Sequence, residues 1–128
     1  MQTVLDKYFA TTELLRFDRQ ALSQTVELFA DDAEFILPKA EPVKGKQAIT
    51  QLLEQFKQSY SSVQRAWKTR TTNNGLEAVW AVAGKRQDGE VFAVHGRHRA
   101  QLDQAGKIAN LEVELLAGDR PTELAPIP

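Results

Sequence analysis

The sequence predicts an α+β domain in which three helices precede, and pack on one face of, an antiparallel meander. Three observations carry this. Apolar residues recur at helical spacing up to Tyr60, β-branched alternation takes over after Ser61, and glycine-bearing turns cut that second part into four runs. At 128 residues the chain has room for one domain against a prior of about 150 residues per domain.

Val4, Leu5, Tyr8, Phe9, Thr12 and Leu15 form one apolar helical face, and Leu22, Val26 and Phe29 form a second after a break near Phe17-Asp18. Asp18 is placed to cap that second helix, since its carboxylate can accept from the free amides of the next turn. Ala33 to Leu37 reads as a strand stopped by Pro38, which cannot donate to a ladder. From Lys46 to Tyr60, Ile49, Leu52, Leu53 and Phe56 give a third helical face. Strands are then expected at Ser61–Thr72, Leu76–Gln87, Glu90–Gln101 and Lys107–Leu116, joined by Asn73-Asn74-Gly75, Asp88-Gly89 and Asp103-Gln104-Ala105-Gly106. Residues 1–118 form the domain. Residues 119–128, proline-rich and without periodicity, read as a C-terminal tail.

Composition removes several function classes. Sixteen Lys plus Arg against seventeen Asp plus Glu leave a net charge of −1, so the positive field that attracts nucleic acid is missing. With no cysteine, disulfides, thiolate nucleophiles and cysteine-based metal sites are excluded. No apolar run reaches the roughly 18 residues of a membrane span, and Met1 to Ala10 lacks a signal-peptide core, so a cytoplasmic, unprocessed protein is expected. His95 and His98 project to opposite faces of a strand and cannot share an ion. Neither metal nor cofactor is expected.

The segments Leu28-Phe29-Ala30-Asp31-Asp32-Ala33-Glu34-Phe35, Val43-Lys44-Gly45-Lys46-Gln47-Ala48-Ile49 and Leu102-Asp103-Gln104-Ala105-Gly106-Lys107-Ile108 resemble signatures of SnoaL-like proteins in the nuclear-transport-factor-2-like superfamily. The resemblance spans roughly residues 5 to 117. It implies a cone: a strongly curved sheet, nearly a barrel, wrapped around the helices and enclosing a largely apolar cavity whose few polar groups decide the chemistry. By position, it sets His98 where a ketosteroid isomerase has its oxyanion-stabilising Asp, Leu37 where it has its catalytic base, and Glu13 near its tyrosine donor. Leucine moves no proton, so that isomerisation mechanism is not expected here.

On the Glu90–Gln101 strand and its following turn, Phe92, Val94, Gly96, His98, Ala100 and Leu102 form the apolar, inward set. If Asp88-Gly89 is a two-residue turn, Val79 lies opposite His98 and Ala81 opposite Gly96, leaving a hole beside the imidazole. Leu111 and Val113 point inward from the last strand. The candidate catalytic residues are His98 and Glu13. The candidate ligand-binding residues are Leu37, Phe56, Arg65, Trp67, Val79, Ala81, Val94, Gly96, Leu111 and Val113. The facing of Arg65 and Trp67 is open: inward, Arg65 would anchor a carboxylate; outward, both belong to the surface. Trp80 and Val82 fall on the outer face with Arg97, Arg99, Glu112 and Glu114, which marks that face for a homodimer.

Three functions are compatible with these readings. The favoured one is binding of a small, largely apolar organic molecule in the cone. The second is a cofactor-independent isomerase, cyclase or dehydratase with His98 as general acid/base and Arg65 or Glu13 orienting the substrate. The third is a dimerisation or assembly module whose cavity is vestigial.

Overall fold

The computed structural model describes residues 2–119, 127 and 128. The elements run α1 (Val4–Glu13), α2 (Ala21–Val26), β1 (Phe29–Ile36), β2 (Val43–Lys44), α3 (Lys46–Ser59), β3 (Tyr60–Thr72), β4 (Gly75–Arg86), β5 (Val91–Leu102) and β6 (Ile108–Asp119). The strands form one six-stranded sheet in the order β2-β1-β6-β5-β4-β3. It curves around the helices without closing, so β2 and β3 remain edges. The α+β class and the four-stranded meander are as the sequence predicts. The sheet is mixed rather than antiparallel throughout, because β1 runs parallel to β6.

That parallel pair also corrects the second helix. It stops at Val26, short of Phe29, which opens β1 fully buried. The chain turns at Glu27-Leu28, and the Leu28 carbonyl accepts from the Ile108 amide at 2.9 Å, so the sheet captures the chain one turn before the apolar period ends. Asp18 closes the preceding turn, its Oδ1 accepting the Gln20 amide at 2.8 Å.

α1 starts with a capping box. Thr3 Oγ1 accepts from the Asp6 amide, and Asp6 Oδ2 accepts from the Thr3 amide at 2.9 Å. The other Asp6 oxygen leaves the helix and accepts from Trp67 Nε1 at 3.0 Å and Thr69 Oγ1 at 2.7 Å on β3. One carboxylate thus begins the helix and docks it on the sheet. Burial pushes its pKa up, but these donors outweigh that and bring it down to about 2. α3 buries Ile49, Leu52, Leu53 and Phe56, the four residues its period selects.

The β4–β5 connection decides what faces the interior. Arg86 N donates to Glu90 O at 2.8 Å, so the loop contains Gln87, Asp88 and Gly89, one residue more than a two-residue turn. Gly89 takes φ +92°, a conformation that glycine adopts without a Cβ penalty. The pairs are therefore Ala78↔His98 and Trp80↔Gly96, not Val79 opposite His98 and Ala81 opposite Gly96. A slip of one residue turns every side chain of β4 over. Trp80 and Val82 are buried, while Val79 and Ala81 lie on the outer face.

Candidate functional site

The interior site is built where α1 crosses β3, β4 and β5. From β5 comes His98, fully buried with its ring edge-on to Phe9, the centroids 4.9 Å apart. From β4 comes Trp80, whose indole Nε1 donates to His98 Nδ1 at 2.6 Å. The indole can lie there because its cross-strand partner is Gly96: a Cβ at that position would stand 2.6 Å from Trp80 Cζ2. β3 supplies Arg65. Its guanidinium sits 5.0 Å from the Phe9 centroid and 4.9 Å from that of Trp80, a cation held between two aromatic faces. α1 supplies Tyr8, buried against His98 at 5.9 Å between centroids.

Three buried polar atoms in this cluster have no hydrogen-bond partner among the described residues: Tyr8 Oη, Arg65 Nη1 and His98 Nε2. The other Arg65 terminal nitrogen, Nη2, donates to the backbone oxygen of Pro128 at 3.2 Å. Neighbouring Ile127 is 5% exposed and packs in the core cluster. Two residues from the segment read as a tail therefore reach the interior. Asp119, read as the first residue of that segment, ends β6, and residues 120–126 lie outside the described residues.

Protonation states follow from these contacts. Indole is a donor only, so His98 Nδ1 is an acceptor and the ring proton resides on Nε2. Burial, reinforced by the Arg65 charge, holds the His98 pKa well below its ordinary value and keeps the ring neutral. Burial also raises the Tyr8 phenol, which stays protonated despite Arg65. Arg65 is lowered to about 10 by burial, against the opposing pull of Tyr8 and Glu13, and remains cationic at neutral pH. Every unpartnered group here can donate a hydrogen bond, and the Tyr8 hydroxyl can also accept one. The Nδ1 lone pair of His98 is already engaged by the Trp80 indole.

The predicted residues divide accordingly. His98, Arg65, Leu37, Phe56, Val94, Leu111 and Val113 are buried on the inner side. The facing left open by the sequence is decided for Arg65, which points inward. Trp67 is half-buried, packing on Phe9 at 5.3 Å while its nitrogen serves Asp6. Glu13 meets Arg65 through the backbone, its Oε1 accepting the Arg65 amide at 2.8 Å, and it does not pair with His98. Gly96 lies inside as expected, but the room it leaves is filled by the Trp80 indole. Val79 is 48% exposed and Ala81 exposed, so neither lines the interior. Conversely, Trp80 and Val82, each 3% exposed, are removed from the outer face assigned to a dimer.

Tyr8 and Trp80 are the side chains of this cluster that the sequence reading did not single out as candidate site residues. Tyr8 stood on the apolar stripe of α1 as a core residue, and its hydroxyl was the signal. Ile127 was detectable only as an isolated apolar residue between Pro126 and Pro128.

On the outer face, Arg99 bridges Glu77 at 3.1 Å, which the corrected register of β4 brings to this side, and both Glu112 and Glu114 at 3.5 Å. Beside this ladder lies a shallow concavity of about 570 Å³ floored by Ala66, Ala81, Ala83 and Ala93 and flanked by Gln64 and His95. A smaller one, about 230 Å³, lies among Lys68, Arg70, Glu77 and Val79. Neither touches His98. Among the described residues no cluster of His, Cys, Asp or Glu could hold a metal, and no helix is long and apolar enough to cross a membrane.

No family model and no curated protein matches the chain. Solved structures do. An NTF2-like protein of unknown function from Exiguobacterium sp. has 29% identity and a TM-score of 0.82, covering 88% of this chain and 98% of its own. The epoxide hydrolase/cyclase-like enzyme SalBIII, of pyran ring formation in polyether salinomycin, has 13% identity and a TM-score of 0.73, covering 88% and 87%. A Mycobacterium tuberculosis protein in complex with estradiol-17beta-hemisuccinate has 14% identity and a TM-score of 0.70, covering 88% and 93%. The fold is shared among proteins whose described activities differ.

Proposed function

We propose that this chain, whose fold is that of the NTF2-like superfamily, binds a small, largely apolar organic molecule inside the cone, against Arg65, Tyr8 and His98. The observation that carries this is the presence of three unpartnered buried polar atoms on side chains packed in one cluster. A buried donor without an acceptor costs about 1–3 kcal/mol, and three in one cluster are a burden that a ligand's acceptor atoms would relieve. The aromatic and aliphatic surroundings suit an apolar body. A protein of the same fold holding estradiol-17beta-hemisuccinate supports the reading.

Catalysis has less behind it. An isomerase, cyclase or dehydratase needs a group that takes a proton. Leu37 offers none, and the Nδ1 of His98 is occupied by Trp80. Binding is therefore placed ahead of turnover. Native mass spectrometry of the purified protein tests it: we expect an adduct of small-molecule mass that leaves on denaturation. A bare protein that also fails to bind any of a panel of hydrophobic acids, alcohols and steroids would overturn the proposal.

A homodimer through the outer face is the second part of the reading. With Trp80 and Val82 inside, the contact would rest on the alanine floor at Ala66, Ala81, Ala83 and Ala93. Small side chains let a second sheet approach closely, and the mixed charges of Arg97, Arg99, Glu112 and Glu114 let the face complement itself.

A further inference from the structure

We propose that the ligand of the interior site is an amphipathic carboxylate, and that Ile127-Pro128 is its built-in stand-in, occupying the Arg65 anchor until a carboxylate displaces it. This rests on the reading that the interior binds a small molecule.

The ligand class follows from hydrogen-bond bookkeeping. Tyr8 Oη–H, His98 Nε2–H and Arg65 Nη1 can all donate and have no partner among the described residues, and one of them carries a full positive charge. With two of the three able only to donate, the fitting head group is rich in acceptors. A head group that sits against a guanidinium stripped of water is favoured if it is anionic, because the charge-assisted bond replaces the solvation that Arg65 has lost. An ammonium would meet Arg65 as a like charge, and a hydroxyl offers fewer lone pairs and no charge.

The stand-in follows from what already occupies the anchor. The Pro128 oxygen is an acceptor on Arg65 Nη2, and the Ile127 side chain beside it is an aliphatic group sealed into the core. An oxygen head joined to a branched hydrocarbon is the chemistry inferred for the ligand. The contact is half-made. Pro128 engages one terminal nitrogen of Arg65 through one oxygen and leaves Nη1 open, whereas a free carboxylate engages both terminal nitrogens in parallel. The segment can thus hold the site and yield it to a true acid.

The experiment is calorimetric titration of the full chain, and of the Ile127→Gly and Arg65→Gln variants, with decanoate and with 1-decanol. Ile127→Gly removes the buried aliphatic group that seats the segment and adds no charge beside Arg65, so it loosens the anchor contact with Arg65 intact. We expect decanoate to bind the full chain about tenfold or more tightly than 1-decanol. Ile127→Gly should strengthen decanoate binding severalfold, and Arg65→Gln should abolish the preference for the acid. Equal binding of acid and alcohol by both the full chain and Ile127→Gly would overturn the carboxylate assignment and leave the interior site standing. Acid preference without any gain in Ile127→Gly would overturn the stand-in. Binding of neither probe to any variant would bring down the interior site itself. The comparison within Ile127→Gly needs no Arg65 variant and survives if Arg65→Gln does not fold.

Discussion

Trp80 Nε1 lies 2.6 Å from His98 Nδ1, and the two rings belong to neighbouring strands with Gly96 directly across from the tryptophan. The bond satisfies two buried groups at once, so removing its donor strands the acceptor. Trp80→Phe should cost about 2–4 kcal/mol, combining an unsatisfied ring nitrogen with the volume lost from the indole. Gly96→Ala should act in the same direction, since the new methyl meets the Glu114 backbone oxygen first and then the indole edge at 2.6 Å. Urea unfolding measures both. A loss below about 0.5 kcal/mol in Trp80→Phe would show that this contact is not holding the ring.

His98 should also make the protein acid-sensitive in a defined window. Its folded pKa is depressed, so the unfolded chain binds the proton more readily. The contribution of His98 is complete above about pH 6.5 and is lost as the pH falls toward the folded value, at about 1.4 kcal/mol per pH unit. Urea midpoints of the parent and His98→Gln between pH 7 and pH 5, each variant normalised to its own value at pH 7, check this. The parent curve should fall and the variant curve should flatten.

Asp6 works in a lower window. Its carboxylate accepts from Thr3, Trp67 and Thr69, which outweighs burial and holds the pKa at about 2 against the ordinary aspartate value of 3.8. A depressed acid stabilises above the unfolded pKa, and that stability drains as the pH drops from about 3.8 to about 2. At neutral pH, Asp6→Asn should destabilise by about 1–2 kcal/mol, because an amide cannot serve four donors with two acceptor oxygens. The variant should lose less than the parent on further acidification, read by thermal melts at pH 5 and pH 3.

Much of this architecture was legible because it rests on periodicity. The stripe of α3 at Ile49, Leu52, Leu53 and Phe56 is buried as spaced, and the inward set of β5 is buried from Phe92 to Ala100, while its last member, Leu102, is exposed at the strand end. What failed was local geometry with nonlocal consequences. Asp88-Gly89 reads as a two-residue turn, but Gln87 joins the loop, and that single residue inverted β4 and moved Trp80 from surface to site. Phe29 obeys the helical period yet pairs in the sheet, because the partner that captures it is Ile108, far along the chain. The inward facing of Arg65 was unreadable for a related reason. Strand parity gives two faces without labelling them, and the label comes from the Phe9 and Trp80 rings that hold the guanidinium.

The corrected parity of β4 changes which substitutions test the outer face. Trp80→Glu would report nothing about a dimer, since a carboxylate at a 3% exposed position unfolds the chain before any interface is lost. Ala83 is the informative position: it is exposed, it sits on the alanine floor of the concavity, and its neighbours on β3 and β5 are Gln64 and Ala93. Ala83→Glu places a charge where two sheets would meet while leaving the interior untouched, so the monomer should keep its stability within about 0.5 kcal/mol. If the outer face pairs two copies, the desolvated carboxylates facing each other should raise the dimer dissociation constant at least tenfold, and light scattering should show the halved mass at micromolar concentration. An unchanged mass in Ala83→Glu, with a dimeric parent, would place the interface elsewhere on the molecule.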